Sequence, residues 1–307
     1  MATLLVTGHK NPDTDSICSA ISYAALKNAL GAEAKAIRAG EINKETAYAL
    51  EYFHAEAPEL VTQFKAGDKV ILVDHNEKKQ IIDGIDDAEI VENIDHHRIG
   101  GLTTEAPIFI HYEPVGCTAT IITNMYAQEG VEIPQQIAGL LLSAILSDTV
   151  LFRSPTCTEK DKKAAEKLAA IAGVDLQTYG FEMLKAGANV SDLTADQIAG
   201  NDMKEFAAGD KTITISQVSV MDTEELLAKK ADLVSALEVM RSKAGYAASF
   251  LMVTNIMEES TNLLYAGEVD GVVAAAFQKE AVDKEVFLPG VMSRKKQIVP
   301  SLLAALK

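Results

Sequence analysis

Four short segments in the first half of the chain carry aspartate, three of them together with histidine, where predicted secondary structure ends. Carboxylates mixed with imidazoles form sites for paired divalent cations, and paired cations suit the hydrolysis of phosphorus–oxygen bonds. One such segment alone would be a weak signal, because Asp and Ser also favour turns and helix caps. The segments are residues 9–16, 73–76, 95–97 and 147–149.

The aspartates of these segments would need counter-charge if the fold brings them together. Ionised carboxylates packed without cations repel one another and take up protons, and two divalent cations would neutralise four of them. Imidazole nitrogens in an oxygen-rich set favour Mn²⁺ or Co²⁺ over Mg²⁺ alone, and the absence of Cys from this set argues against a structural zinc site. The candidate ligands are His9, Asp13, Asp15, Asp74, His96 and Asp148.

Length and composition narrow the class of protein. The chain has 307 residues, of which 48% are hydrophobic, so it can bury a substantial core and is long enough for two domains. No apolar run approaches the roughly 20 residues that cross a bilayer. The net charge of −16 argues against a general nucleic-acid binder. With no secretion signal at the N-terminus and three cysteines that fit no disulfide framework, we expect a cytoplasmic protein that binds neither membrane nor nucleic acid.

The elements that must position these residues alternate between strands and helices. Short apolar strands separated by helices predict a parallel sheet with helices on both faces, and ligands of such sheets gather beyond the carboxyl ends of the strands. Most of the candidate residues follow directly after a predicted strand, so we expect them at one edge of the sheet. The predicted strands are residues 3–7, 35–38, 69–73, 89–94 and 108–111, and the predicted helices are 16–30, 45–53, 119–128, 134–147, 158–172 and 176–186.

A stretch with turn chemistry near residue 190 predicts a domain boundary. We place a first domain at residues 1–188, a linker at 189–194 and a second domain at 195–307. In the second domain the sequence predicts strands at 212–220, 248–253 and 262–265, one long helix at 224–242 and a closing helix at 299–306. The basic run Arg294-Lys295-Lys296 could hold phosphate oxygens, although a solvated charge run before a helix would look the same.

The motifs as a set resemble those of the DHH phosphoesterase superfamily. They are Gly-His-Lys-Asn-Pro-Asp-Thr-Asp-Ser at 8–16, Val-Asp-His-Asn at 73–76 and Asp-His-His at 95–97. Ser-Arg-Lys-Lys-Gln at 293–297 narrows the resemblance to family II, manganese-dependent inorganic pyrophosphatase, over essentially the whole chain. The resemblance implies an N-terminal parallel sheet flanked by helices, a smaller C-terminal α/β domain with a mixed sheet, and an active site in the cleft between them.

The resemblance also implies an activity and its cofactors. Pyrophosphate would be hydrolysed to two phosphates by a bridging water or hydroxide that two metals activate. The metals would be Mn²⁺, two per subunit, with Co²⁺ as an alternative; Mg²⁺ would accompany the substrate, and the protein would be a homodimer. One metal would take His9, Asp13 and Asp74, and the other Asp15, Asp74, His96 and Asp148, so that Asp74 bridges them.

The remaining motif residues are given supporting or substrate-binding roles by the same resemblance. His75 and Asp95 would orient the ligands, and His97 would lie near the leaving group. The phosphate clamp of the second domain would consist of Lys204, Arg294 and Lys295.

Two rival functions stay open at this point. A short-chain exopolyphosphatase or another DHH-type phosphoesterase would use the same motifs, although the phosphodiesterase branch usually has a Gly-Gly-Gly-His segment and residues 267–271 offer no His. Only 6% of residues are aromatic and none is Trp, which leaves little for base stacking. A non-catalytic metal-dependent regulator should have lost ligands or the clamp, and all of them are present.

Overall fold

The computed structural model describes residues 3–209 and 211–306, and the chain divides into two units between Gly187 and Ala188. Each unit has its own sheet. Over the described ranges, no helix combines the length and apolar character that crossing a membrane requires.

The apolar runs of the first unit pair into one parallel sheet, which confirms the predicted architecture. In the described part of this unit the sheet has six strands in the order β3-β2-β1-β4-β5-β6, and each neighbouring pair is parallel. The strand order reverses at β1, which lies between β2 and β4, and ligands of open α/β sheets bind at such a point. The strands are β1 Leu4–Thr7, β2 Ala34–Arg38, β3 Glu59–Leu60, β4 Lys69–Val73, β5 Glu89–Asp95 and β6 Phe109–Tyr112.

Helices of the first unit bury their apolar side chains in its core. The helix α4 is buried along nearly its whole length, from Ile137 to Leu146, and packs against α1 and α5. A separate cluster of buried apolar side chains, which includes Ile37, Val70 and Leu72, lies under the short 3₁₀ turns Lys78–Gln80 and Ile85–Asp87. The helices are α1 Thr14–Ala29, α2 Lys44–Tyr52, α3 Thr118–Gln128, α4 Gln135–Asp148, α5 Glu159–Ala172 and α6 Leu176–Gly187.

The second unit is built on a mixed sheet. Its described strands run in the order β11-β10-β9-β8-β7, with β8 and β9 parallel and the other pairs antiparallel. Apolar side chains on both faces are covered by helices. The strands are β7 Lys204–Ala208, β8 Lys211–Val220, β9 Ala248–Asn255, β10 Ser260–Ala266 and β11 Glu285–Pro289. The helices are α7 Ala195–Ala199, α8 Glu224–Ala228, α9 Lys230–Ala244, α10 Asp270–Phe277, a π-helical turn at Arg294–Ile298 and α11 Val299–Ala305.

The second unit also holds the main departures from the sequence prediction. The single helix expected at 224–242 is two helices, because the backbone leaves the helical region at Lys229 while Leu226 and Leu233 stay buried on one side. Helical spacing continues across this break, so the sequence pattern does not reveal it. The sequence pattern also predicts none of α7, β7, α10 and β11.

Gly139 lies where α4 passes close to Phe53, and we predict that Gly139→Ala destabilises the protein. An added Cβ would lie 2.3 Å from the ring Cδ1 of Phe53. We expect a loss of about 1–3 kcal/mol in the free energy of unfolding, despite the better helix propensity of Ala. Denaturant unfolding of the metal-free protein measures it. Gly271→Ala in α10, where nothing lies within 4 Å, is the matched control and should be neutral or mildly stabilising.

Candidate metal centre

The candidate ligands lie at the carboxyl edge of the first unit's sheet. His9 and Asp13 follow β1, Asp74 follows β4, and His96 follows β5. Asp74 adopts a left-handed backbone conformation with φ of 63°, which turns the chain sharply at the end of β4. The other two come from helices: Asp15 lies in the first turn of α1 and Asp148 is the last residue of α4.

Asp74 faces a histidine with each of its carboxylate oxygens. His9 Nε2 lies 3.6 Å from Asp74 Oδ2 and 3.5 Å from Asp13 Oδ2. On the other side, His96 Nε2 lies 3.5 Å from Asp74 Oδ1 and 3.8 Å from Asp148 Oδ2. One carboxylate therefore stands between two sets of potential ligands.

The structure brings all six candidate ligands together in two overlapping groups. Within each group, one donor atom per residue lies within 4.8 Å of all the others. A further group of Asp74, His96 and His97 meets the same criterion. The first of the two overlapping groups consists of His9, Asp13 and Asp74. The second consists of Asp15, Asp74, His96 and Asp148.

Two helix N-termini support the carboxylates of this site. Asp13 caps α1 by accepting a hydrogen bond of 2.9 Å from the backbone N–H of Ser16. Asp15, which is fully buried, accepts hydrogen bonds from Ser19 Oγ and from the backbone N–H groups of Thr118 and Ala119 at the start of α3. The partial positive charge at a helix N-terminus stabilises nearby anions, so both helices favour ionised aspartate here.

Two hydroxyl groups, from Ser16 and Thr118, hold Asp74. Ser16 Oγ donates to Asp74 Oδ2 at 2.8 Å, and Thr118 Oγ1 donates to Asp74 Oδ1 at 3.2 Å. Ser16 belongs to the first motif, and a Cβ on Gly8 would lie only 2.5 Å from Ser16 Cβ, so glycine there permits this close approach. Thr118 lies in no motif, and nothing in the sequence pattern indicated it.

Burial makes the ionisation of these aspartates costly. Burial, followed by the charges of Asp15 and Asp13, raises the pKa of Asp74 well above its ordinary value. Burial and the charges of Asp15 and Asp74 do the same to the pKa of Asp148. Divalent cations would relieve both effects, because they replace lost hydration and cancel the mutual repulsion. The oxygen-rich donor set with two imidazoles fits a pair of such cations.

His96 and His75 are oriented by backbone carbonyl groups. His96 Nδ1 lies 3.0 Å from the carbonyl oxygen of Val115, and a carbonyl only accepts, so Nδ1 carries the proton and Nε2 turns its lone pair toward Asp74 and Asp148. His75 Nδ1 donates likewise to the carbonyl of Val73. Burial lowers the pKa of His75 to about 4, which keeps this imidazole neutral.

Asp95 holds the half-exposed His97. Its Oδ1 lies 2.9 Å from His97 Nδ1 and 3.0 Å from the His97 backbone nitrogen, and its Oδ2 accepts a hydrogen bond from Asn76. Burial alone would raise the pKa of Asp95, but the hydrogen bonds from His97 and Asn76 outweigh it and lower that pKa. An ionised Asp95 therefore fixes the ring of His97 with Nε2 directed away from Asp95.

The predicted clamp residues of the second unit differ in exposure. Lys204 begins β7 and Lys295 lies in the π-helical turn, and both side chains are exposed. Arg294 is only 8% exposed and donates hydrogen bonds to Asp202 and to the carbonyl of Ile215. The basic run is thus divided between exposed ammonium groups and one buried guanidinium.

Comparisons with known proteins agree with the motifs and the fold. The profile of the DHH family, N-terminal domain, matches residues 3–145, and that of the DHHA2 domain matches residues 181–305. A Bacillus licheniformis protein named a probable manganese-dependent inorganic pyrophosphatase is 50% identical over 308 residues, which is 100% of both chains. The chain belongs to the manganese-dependent, family II inorganic pyrophosphatases.

Further members of family II are similar over their whole length. A Staphylococcus carnosus relative with the same name is 49% identical over 100% of both chains. The crystal structure of a candidate family II inorganic pyrophosphatase from Methanococcus jannaschii shares 42% identity, covers 99% of each chain and has a TM-score of 0.64. An exopolyphosphatase-related protein from Bacteroides fragilis shares the fold. The two sequences are 15% identical, the match covers 99% of this chain and 91% of the Bacteroides chain, and the TM-score is 0.52.

Asp74 takes part in each group of donor atoms, so its removal should affect both cations. We predict that Asp74→Ala binds less than one Mn²⁺ per chain. Asp148→Ala should lose chiefly one of two ions, because His9 and Asp13 still have Asp74 as a third ligand. Metal analysis after dialysis against Mn²⁺ measures the content. Asp86→Ala, which removes an exposed carboxylate paired with Lys78, should bind as the wild type does. Tight retention of both ions by Asp74→Ala would contradict a bridging role.

Proposed function

We propose that this chain hydrolyses inorganic pyrophosphate to two phosphate ions at the site around Asp74. The observation that carries the proposal is the pair of donor groups that share Asp74, in a chain of the family II pyrophosphatases. His9, Asp13 and Asp74 would hold one cation, and Asp15, Asp74, His96 and Asp148 would hold the other. When bound, the two cations would supply positive charge that lowers the pKa of a coordinated water and polarises the phosphoryl oxygens.

The residues of the chain bind and orient the substrate. Lys204 and Lys295 carry exposed ammonium groups that neutralise phosphate oxygens, and Arg294 adds a guanidinium. His97, oriented by Asp95, presents Nε2 to the leaving phosphate and donates a proton there when its ring is protonated. No covalent intermediate is needed, since none of the motifs supplies an activated Ser or Cys.

The proposal assigns a task to each domain. Residues 1–188 bind the metals and residues 195–307 bind the phosphate groups, with 189–194 as linker. The cofactors are two Mn²⁺ per subunit, replaceable by Co²⁺, with Mg²⁺ bound to the substrate. We place the enzyme in the cytoplasm as a homodimer that binds no nucleic acid. The position of the substrate between the two domains stays a prediction.

Phosphate release by the purified protein tests the proposed activity. After treatment with a chelator the protein should release no phosphate from pyrophosphate, and addition of Mn²⁺ should restore turnover. Tripolyphosphate, assayed in parallel, should be hydrolysed at least about tenfold more slowly, which corresponds to roughly 1.4 kcal/mol in the barrier. Faster hydrolysis of tripolyphosphate would favour an exopolyphosphatase, and metal binding without turnover of either compound would favour a regulator.

Lys295 and Lys296 form a natural pair for testing the clamp. We predict that Lys295→Ala leaves the Mn²⁺ content unchanged but lowers kcat/KM for pyrophosphate. The decrease should correspond to a loss of about 2–4 kcal/mol in transition-state stabilisation. Lys296→Ala removes the same charge from the neighbouring exposed side chain and should cost less than about 1 kcal/mol. Steady-state kinetics of the Mn²⁺-loaded enzymes measure both effects. Equal losses in the two variants would assign the effect to net charge and not to Lys295.

A further inference from the structure

The loop that carries Arg294 is held in place by side chains of its own unit. Gln297 Oε1 accepts hydrogen bonds of 2.9 Å from the backbone N–H groups of Met292 and Ser293, and Gln297 Nε2 donates to the carbonyl of Gly290. Thr261 Oγ1 donates to the carbonyl of Val291 at 2.6 Å. These contacts fix the backbone from which the Arg294 side chain extends.

Asp202 holds the far end of the Arg294 side chain. Arg294 Nη1 donates to the backbone carbonyl of Asp202 and, at 3.1 Å, to that of Ile215, while Arg294 Nη2 donates to Asp202 Oδ2 at 2.7 Å. Asp202 has a left-handed backbone with φ of 43°, a conformation that Asp tolerates better than most residues. That conformation lets the carbonyl and carboxylate of one residue face the same guanidinium.

The contacts of Asp202 use one edge of the guanidinium and leave the other. A guanidinium has five N–H groups, and the planar fork formed by Nε and Nη2 matches two oxygens of a phosphate. Nη1 donates two of the hydrogen bonds above and Nη2 donates one. Among acceptors of the described residues, none takes the Nε proton or the second Nη2 proton. The Nε–Nη2 edge is therefore the edge available to a ligand.

Asp202 also supplies the counter-charge that a buried guanidinium requires. A buried charge is stable only when it is paired and hydrogen-bonded. Arg294 is 8% exposed and its ion-pair partner Asp202 is 55% exposed. Since the carboxylate remains largely hydrated, it offsets the charge of Arg294 less completely than a buried carboxylate would. A phosphate dianion can thus still be attracted by the same guanidinium.

We propose that Asp202 is a positioning residue for pyrophosphate binding, which holds Arg294 so that its Nε–Nη2 edge donates to the oxygens of one phosphate group. This inference rests on the proposed function. Asp202 itself makes no contact with the substrate and acts only through Arg294.

Kinetics of Asp202→Gly and Asp202→Asn test the proposal. Glycine removes the carboxylate without strain at positive φ, whereas asparagine keeps an oxygen that accepts from Nη2. We expect Asp202→Gly to raise KM for pyrophosphate about tenfold with kcat reduced less than about threefold, because the contact is equally present in ground and transition states. Asp202→Asn should raise KM less than about threefold. Glu205→Gln, which removes a charge from the neighbouring exposed part of β7, is the control and should match the wild type.

A double-mutant cycle shows whether Asp202 works through Arg294. In an Arg294→Lys background, which lacks the guanidinium fork, Asp202→Gly should change KM less than about twofold. Three outcomes would each overturn the proposal. Asp202→Gly could raise KM tenfold in the Arg294→Lys background as well, it could lower KM, or Asp202→Asn could be as impaired as Asp202→Gly. Unchanged Mn²⁺ content and circular dichroism verify that the variants fold. An inactive wild type would refute the proposed function, whereas an active wild type matched by Asp202→Gly would refute only the role of Asp202.

Discussion

The burial of Asp74 between two imidazoles is the constraint on which the site depends. This carboxylate is 2% exposed, and Asp13, Asp15 and Asp148 lie close enough for their charges to act on it and on one another. Such a cluster is stable in water only if some of its members take up protons or if cations bind. Because potential ligands lie on both sides of Asp74, bound cations would offset the repulsion among these carboxylates. Metal binding and the stability of this edge of the sheet are therefore coupled.

The topology of the sheet explains why Asp74 has this central place. β4 lies between β1 and β5, so the residue that follows β4 stands between those that follow its neighbours. α1 starts directly after the first of these turns, and α3 points its N-terminus at Asp15. The fold thus supplies both the crowding of negative charge and the fixed dipoles that moderate it. An anionic substrate would meet cations here although the chain as a whole is strongly acidic.

The parts of this arrangement that depend on short-range pattern could be predicted from the sequence. The run Val70–Val73 is apolar and ends at Asp74, so both the buried strand and the position of the ligand at its end follow from adjacent residues. Thr118 could not be found in this way, since it reaches Asp74 only through folding, 44 positions along the chain. The sequence pattern does not predict β7, because Lys204, Glu205 and Phe206 are exposed or half-buried and show no apolar alternation. Only pairing with β8 identifies it as a strand.

Arg294 shows why a basic run is ambiguous in sequence but not in structure. A guanidinium is more weakly hydrated than an ammonium and distributes five donors in one plane, so it can be buried where carbonyls and a carboxylate surround it. The neighbouring lysines, with compact and strongly hydrated charges, remain in solvent. Three consecutive cations are therefore divided between a buried and an exposed environment for a reason that lies in their chemistry. The acceptors that select the buried position belong to Asp202 and Ile215, 92 and 79 residues away, which no local pattern around residue 294 could reveal.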